Sequence, residues 1–120
     1  MGYRSDVAYV IRFKSFEERD AYAVSIRLAG SHEMNQAIEE CDLPRGKPLI
    51  TFRAEDQKWY PDFTDVAAHT KLYRDAEELF DADFIFAALG EDGKTEYEYS
   101  THGYDLTDYV NVRHKLETSF

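Results

Sequence analysis

The sequence predicts an α+β domain, and three observations carry that expectation. Two short segments, Asp6–Lys14 and Phe84–Leu89, are apolar on both faces over strand length, and a third, Lys94–Thr101, alternates strictly. Two longer segments, following Ser15 and following Pro61, repeat their apolar residues at three and four. Strand-like and helix-like stretches alternate along one chain of 120 residues, the size of a single core, so one domain over residues 1–120 is expected.

In Asp6–Lys14, Val7, Tyr9, Ile11 and Phe13 alternate with Ala8, Val10 and Arg12, which places the strand centrally in a sheet. Ser15-Phe16-Glu17-Glu18 matches a capping box, in which Ser15 accepts from the Glu18 amide and the Glu18 side chain reaches back. The helix behind it carries Phe16, Ala23 and Ile26, flanked by Tyr22 and Ala29, on one stripe, and Gly30 suits a left-handed stop. Ser31 caps a second helix bearing Met34, Ala37, Ile38 and Cys41, closed by Pro44-Arg45-Gly46.

Leu49–Ala54 reads as a strand with Ile50, Phe52 and Ala54 on one face, started by Pro48. Glu55–Lys58 reads as a turn and Trp59-Tyr60 as a short return. A helix then begins at Pro61-Asp62, with Asp62 or Thr64 as cap and Val66, His69, Leu72, Tyr73, Ala76, Leu79 and Phe80 inward. Phe84–Leu89 is a second central strand, and Gly90-Glu91-Asp92-Gly93 has hairpin-turn chemistry. Beyond it Thr95, Tyr97 and Tyr99 share one face and Glu96, Glu98 and Ser100 the other. A last strand from Tyr109 to Leu116 puts Val110, Val112, His114 and Leu116 together. The whole suits an antiparallel or mixed sheet with helices on one face, and a ferredoxin-like β-α-β-α-β-β order with additions is the first expectation.

The formal net charge is −10, and its distribution matters more than its size. Residues 1–61 are nearly balanced, whereas residues 62–108 hold 13 acids against only Lys71, Arg74 and Lys94. Such a field repels phosphate backbones and anionic lipid, and attracts basic partners. Direct nucleic-acid or membrane binding is therefore not expected. The lone Cys41 excludes an internal disulfide framework, and no secretory leader or bilayer-length apolar run is evident, which together point to a reducing cytoplasm.

Catalytic patterns are missing. Asp81-Ala-Asp83 and Glu96-x-Glu98 lack a complete ligand set, the four histidines and one cysteine make no local zinc motif, and no phosphate loop or nucleophile elbow occurs. Neither an enzyme activity, a metal nor a cofactor is expected. What stands out is tyrosine among acids. Asp75, Glu77, Glu78, Glu91, Asp92, Glu96, Tyr97, Glu98, Tyr99, Tyr104 and Asp108 form the candidate partner-binding set, since tyrosine supplies contact area while its hydroxyl stays wet. Two other classes stay open. One is a small-ligand binder or enzyme with a pocket between sheet and helices, involving His69, Trp59 or Cys41. The other is a self-assembling structural or virion-associated component, and either a monomer or a homodimer is compatible with exposed edge strands.

Two stretches carry a resemblance. Met1-Gly2-Tyr3-Arg4-Ser5-Asp6-Val7, and Lys58-Trp59-Tyr60 followed by Phe63-Thr64-Asp65-Val66, resemble small proteins of tailed bacteriophages and prophages. In those proteins a Trp-Tyr pair and an aromatic-or-proline-Asp-Val step lead into a helix. This chain departs from the pattern in carrying its proline at Pro61. The family has no activity to carry over onto any residue. The resemblance implies a viral origin, a bacterial host cytoplasm, and a protein that binds and modulates or inhibits a host protein or pairs with a phage one. A defence or nucleic-acid-handling factor, engaged by charge mimicry, is the sharpest version.

Overall fold

The computed structural model describes residues 2–113 and 115–120. Four strands, β1 (Ser5–Arg12), β2 (Leu49–Gln57), β3 (Asp83–Gly90) and β4 (Thr95–Tyr99), form one sheet in the order β2-β1-β3-β4, every neighbour antiparallel. The chain is α+β, as its periodicities predict. Three α-helices, α1 (Phe16–Ala29), α2 (His32–Glu39) and α3 (Thr64–Phe80), cover one face. A 3₁₀ helix (Gly103–Asp108) and a hairpin of β5 (Val110–Val112) and β6 (Leu116–Thr118) cover the other.

Alternation along the strands builds both layers. Val7, Tyr9 and Ile11, with Ile50, Phe52, Phe84 and Phe86, meet the helices. Ala8, Val10, Leu49, Ile85 and Ala87 meet Leu106, Val110 and Leu116 beneath. Both central strands are therefore apolar on both faces for a reason: each face has a cover.

The elements follow the expected order β-α-β-α-β-β with additions, a helix pair standing at the first crossover, but the strand connectivity differs from a ferredoxin-like sheet. After the α1–α2 pair the chain returns as β2, antiparallel and directly beside β1. Only β2-α3-β3 straddles another strand, so one split β-α-β unit is present instead of two interlocked ones.

Several local expectations need correction. Ser15 accepts from the Glu18 amide at 3.2 Å, but no reciprocal bond from Glu18 forms among the described residues. Phe16 and Ala29 are exposed, and Phe16 lies under the Arg19 guanidinium. Arg19 itself is buried, donating to the carbonyls of Pro44 (2.8 Å) and Lys47 (2.9 Å), so it ties the loop before β2 to α1. Gly30 is extended at φ −75°; it is needed because a Cβ there would sit 2.6 Å from the Ile26 carbonyl.

The expected turn at Glu55–Lys58 lies largely inside β2, whose path is bent at Asp56 (φ 54°), where the register against β1 shifts. Trp59-Tyr60 is not a strand. Helix α3 starts at Thr64 after Phe63, with no side-chain cap bond from either Asp62 or Thr64. Leu79 points to solvent. The expected strand Tyr109–Leu116 is instead two short strands joined by a turn, held by Arg53, which donates to the Leu116 carbonyl (3.3 Å) and Thr118 Oγ1 (3.1 Å). His114 lies outside the described residues.

Candidate functional site

The antiparallel pairing of β1 with β3 sets Ser5 opposite Gly90, so the start of the chain meets the β3–β4 hairpin. Tyr3 lies across Gly90 so closely that a Cβ there would fall 1.5 Å from its hydroxyl, and that hydroxyl donates to Asp92. This bond pushes the Tyr3 phenol up to about 12 and lowers Asp92, because the carboxylate is favoured by the donor and the phenolate is disfavoured by the charge. The backbone amide of Lys94 also donates to Asp92 (3.0 Å), and that of Arg4 to Glu91 (3.2 Å).

Between this corner, the start of α3 and the loop after β2 lies a cleft of about 440 Å³. Its apolar wall is Val66, Tyr73, Phe86 and Ala88; Trp59, Tyr60 and Pro61 form one rim, Tyr3 and Ser5 another, and Lys94, Glu96, Tyr97 and Glu98 line it from the β4 side, so a cation stands beside the two glutamates. Trp59 and Phe86 stack at 6.2 Å between ring centroids, and Tyr73 and Phe86 at 5.8 Å. Glu98 is turned toward the helix layer: it accepts from Tyr73 Oη at 2.6 Å and pairs with Arg74. Burial first, and then this carboxylate, raises the Tyr73 phenol, so it stays protonated and donating. Glu96, one pleat along on the same face, is exposed and has no ion-pair partner among the described residues.

No family model, curated protein or solved structure matches the chain. The chemistry of its surfaces therefore has to come from its own geometry. Tyr3 and Ser5 from the start of the chain meet Trp59, Tyr60 and Val66 here, since all five line this cleft.

A second polar cluster is closed. His69, 2% exposed, has Nε2 at 2.9 Å from Glu40 Oε1 and Nδ1 at 2.6 Å from Tyr9 Oη; Tyr9 Oη is also 3.2 Å from Cys41 Sγ. An ionised Glu40 only accepts, so Nε2 carries the proton and Nδ1 receives the Tyr9 hydroxyl. Burial lowers the His69 pKa and pushes the Cys41 thiol up to about 12. A protonated thiol separated from a neutral imidazole by a tyrosine is not an activated nucleophile. Cys41 and His69, named from the sequence as residues of a possible pocket, are thus bridged by Tyr9 inside the core.

The predicted binding residues fall into three groups. Glu91, Asp92, Glu96 and Glu98 gather at the hairpin and cleft. Tyr97 lines the cleft but carries its hydroxyl to the opposite face, where it accepts from the Val112 amide (2.7 Å); Tyr99 meets Tyr104 edge-on at 5.9 Å, and Asp108 ends the 3₁₀ helix. Asp75, Glu77 and Glu78 ride on α3, with Asp75 held by Lys71 at 2.7 Å. Asp81 and Asp83, at the far end of β3, pair with Lys14 (2.8 Å) and Arg12 (3.1 Å). A single face bearing all the acids does not form. Tyr3, Tyr60 and Tyr73 are site residues that the sequence reading does not name; the β1–β3 register brings Tyr3 to the hairpin, while Tyr60 and Tyr73 reach the cleft from the loop after β2 and from α3.

An open depression of about 360 Å³ between α2 and α3 is lined by Glu33, Gln36, Ala37, Glu39, Glu40 and Asp65, without aromatic walls. Among the described residues no group of three or more His, Cys, Asp or Glu is placed to hold a metal ion, and no helix is long and apolar enough to cross a membrane.

Proposed function

We propose that the chain is a non-enzymatic binding protein that engages a basic segment of a partner protein at the cleft and the acidic β3–β4 hairpin. The observation that supports this most is the composition of the cleft: aromatic walls beside Glu96, which has no ion pair among the described residues, with Glu91 and Asp92 at the adjoining hairpin; Glu98 is held by Tyr73 and Arg74, and Lys94 is the one cation among the described lining residues. An aromatic surface favours a cation electrostatically, and a carboxylate beside it sets the sign of what enters. Lysine and arginine bring both a charged head and an apolar stem, which matches such a lining. In the setting the resemblance implies, the partner is a protein of a bacterial host cytoplasm or a phage protein, and the chain acts by occupying its basic surface.

The chain has one tryptophan, and it lines the cleft, so Trp59 fluorescence reports occupancy. A lysine-rich peptide is expected to change that signal saturably, less at high salt, while a glutamate-rich peptide leaves it unchanged. Equal responses to both would remove the basis of the reading. A companion pull-down from bacterial lysate, with Glu91, Asp92 and Glu96 reversed to lysine, is expected to lose the wild-type partner.

The cleft's volume favours a second reading. About 440 Å³ is within the range of ~300–1,000 Å³ for small-molecule sites. A cationic metabolite that raises the melting temperature in a thermal-shift panel, with no protein captured, would select that alternative.

A further inference from the structure

The strand that walls the cleft has an open side. β4 pairs with β3 alone among the described residues. Gly90 N donates to Lys94 O at 2.8 Å and Ser100 N to Phe84 O at 3.1 Å, which fixes the phase of the ladder. With a period of two, the amides and carbonyls of Lys94, Glu96, Glu98 and Ser100 point at β3. Those of Thr95, Tyr97 and Tyr99 point away from it, unpaired with any other described strand. Side chains divide by the same alternation: Glu96 and Glu98 toward the helix layer, Tyr97 and Tyr99 toward the opposite face.

We propose that β4 receives an extended segment of a partner polypeptide as a fifth strand, with lysine or arginine at alternate positions facing Glu96 and Glu98 and apolar side chains between them facing Tyr97 and Tyr99. This rests on the reading that the partner is basic, and adds the mode and the spacing. Charge decides the occupant. A second copy of β4 laid antiparallel about Tyr97 sets Glu96 against Glu98 at both mirror positions, and like charges directly opposite repel. A basic strand reverses that sign, most of all at Glu96, which has no ion pair among the described residues, whereas Glu98 is already held by Arg74 and Tyr73. In an antiparallel addition, the residues opposite Glu96 and Glu98 occupy non-hydrogen-bonded sites, where Cα atoms approach to about 4.5 Å and side chains touch most closely. On the other face Tyr99 is 51% and Tyr104 66% exposed, which leaves aromatic area for the intervening apolar residues.

Two labelled peptides of equal composition test this against the full chain by fluorescence polarisation. One alternates lysine and valine; the other groups its lysines in one block and its valines in another. The alternating peptide is expected to bind at least tenfold more tightly. Its binding is expected to slow hydrogen exchange of the Thr95, Tyr97 and Tyr99 amides at least tenfold. Thr95→Pro deletes one outward N–H without touching the β3 ladder, and is expected to reduce the alternating peptide to the level of the blocked one. Equal affinity for the two peptides, or no protection of those three amides in the wild-type protein, overturns strand addition while leaving a basic partner in place. The exchange result stands even if Thr95→Pro fails to fold. Binding of neither peptide overturns strand addition and the basic-partner reading together.

Discussion

Tyr9 and Tyr73 pack against each other in the core, ring centroids 5.3 Å apart, yet their hydroxyls end in opposite kinds of surroundings. Tyr9 leads inward, to His69 and Cys41, where both ring nitrogens and the thiol have partners and solvent is excluded. Tyr73 leads to Glu98 on the wall of an open cleft, one pleat from a Glu96 that has no ion pair among the described residues. Both regions contain the residue types from which active or binding sites are made. The first has satisfied its donors and acceptors internally, so it belongs to the core. The second keeps acceptor capacity and access together, which is what a binding surface requires. Trp59, whose ring lies 5.5 Å from His69 and also lines the cleft, is where the two regions meet.

Mutations should separate them, and on a stability scale the effects run from large to negligible. Tyr9→Ala removes a fully buried ring and should cost about 3–5 kcal/mol in urea unfolding, as other aromatic truncations in cores do. Tyr9→Phe keeps the ring but strips His69 Nδ1 of its donor, and should cost about 1–3 kcal/mol. A loss under about 0.5 kcal/mol for that variant would mean that the cluster is not closed by this bond.

The imidazole supplies a smaller, pH-dependent effect. Burial holds His69 neutral below its ordinary range, opposed by Glu40 and Asp65, whereas the unfolded chain takes up a proton near ~6.5. Between those two values only the unfolded chain binds the proton. Stability is therefore full above about pH 6.5 and falls as pH drops toward the folded value. His69→Gln should flatten that slope in melting curves collected across the window.

At the bottom of the scale, Glu96→Lys should shift stability by less than about 0.5 kcal/mol, since the side chain is exposed and unpaired among the described residues. Its effect should fall on binding of a lysine-rich peptide instead, weakening it with a reduced dependence on salt.

The same contrast explains what could be read from the chain alone. Local patterns carried the strands around Val7–Ile11 and Phe84–Leu89, the Ser15 and Ser31 caps, and the apolar stripe of α3, because period and cap chemistry are written in neighbouring residues. The ends of elements were less visible. Asp56 bends a strand whose acids read as a turn, and Phe63 stands at the cap position of α3, which has no side-chain cap bond from Asp62 or Thr64. The cleft was the least legible part. It depends on Ser5 facing Gly90 and Phe86 facing Glu98, and register is fixed by packing across the sheet rather than by any local signal. The charge asymmetry pointed to residues 62–108, but Lys14 and Arg12 from the balanced first half take up Asp81 and Asp83, so part of that charge is spent in ion pairs that only the folded chain forms.

The most direct test of this account is a two-dimensional amide NMR titration of the chain with a lysine-rich peptide. The cleft predicts shifts concentrated at Tyr3–Ser5, Trp59, Tyr60 and Gly90–Tyr99, with residues of the α2–α3 depression such as Glu33, Glu39 and Asp65 unmoved. Shifts centred on that depression, or spread evenly over the acids of α3, would contradict it.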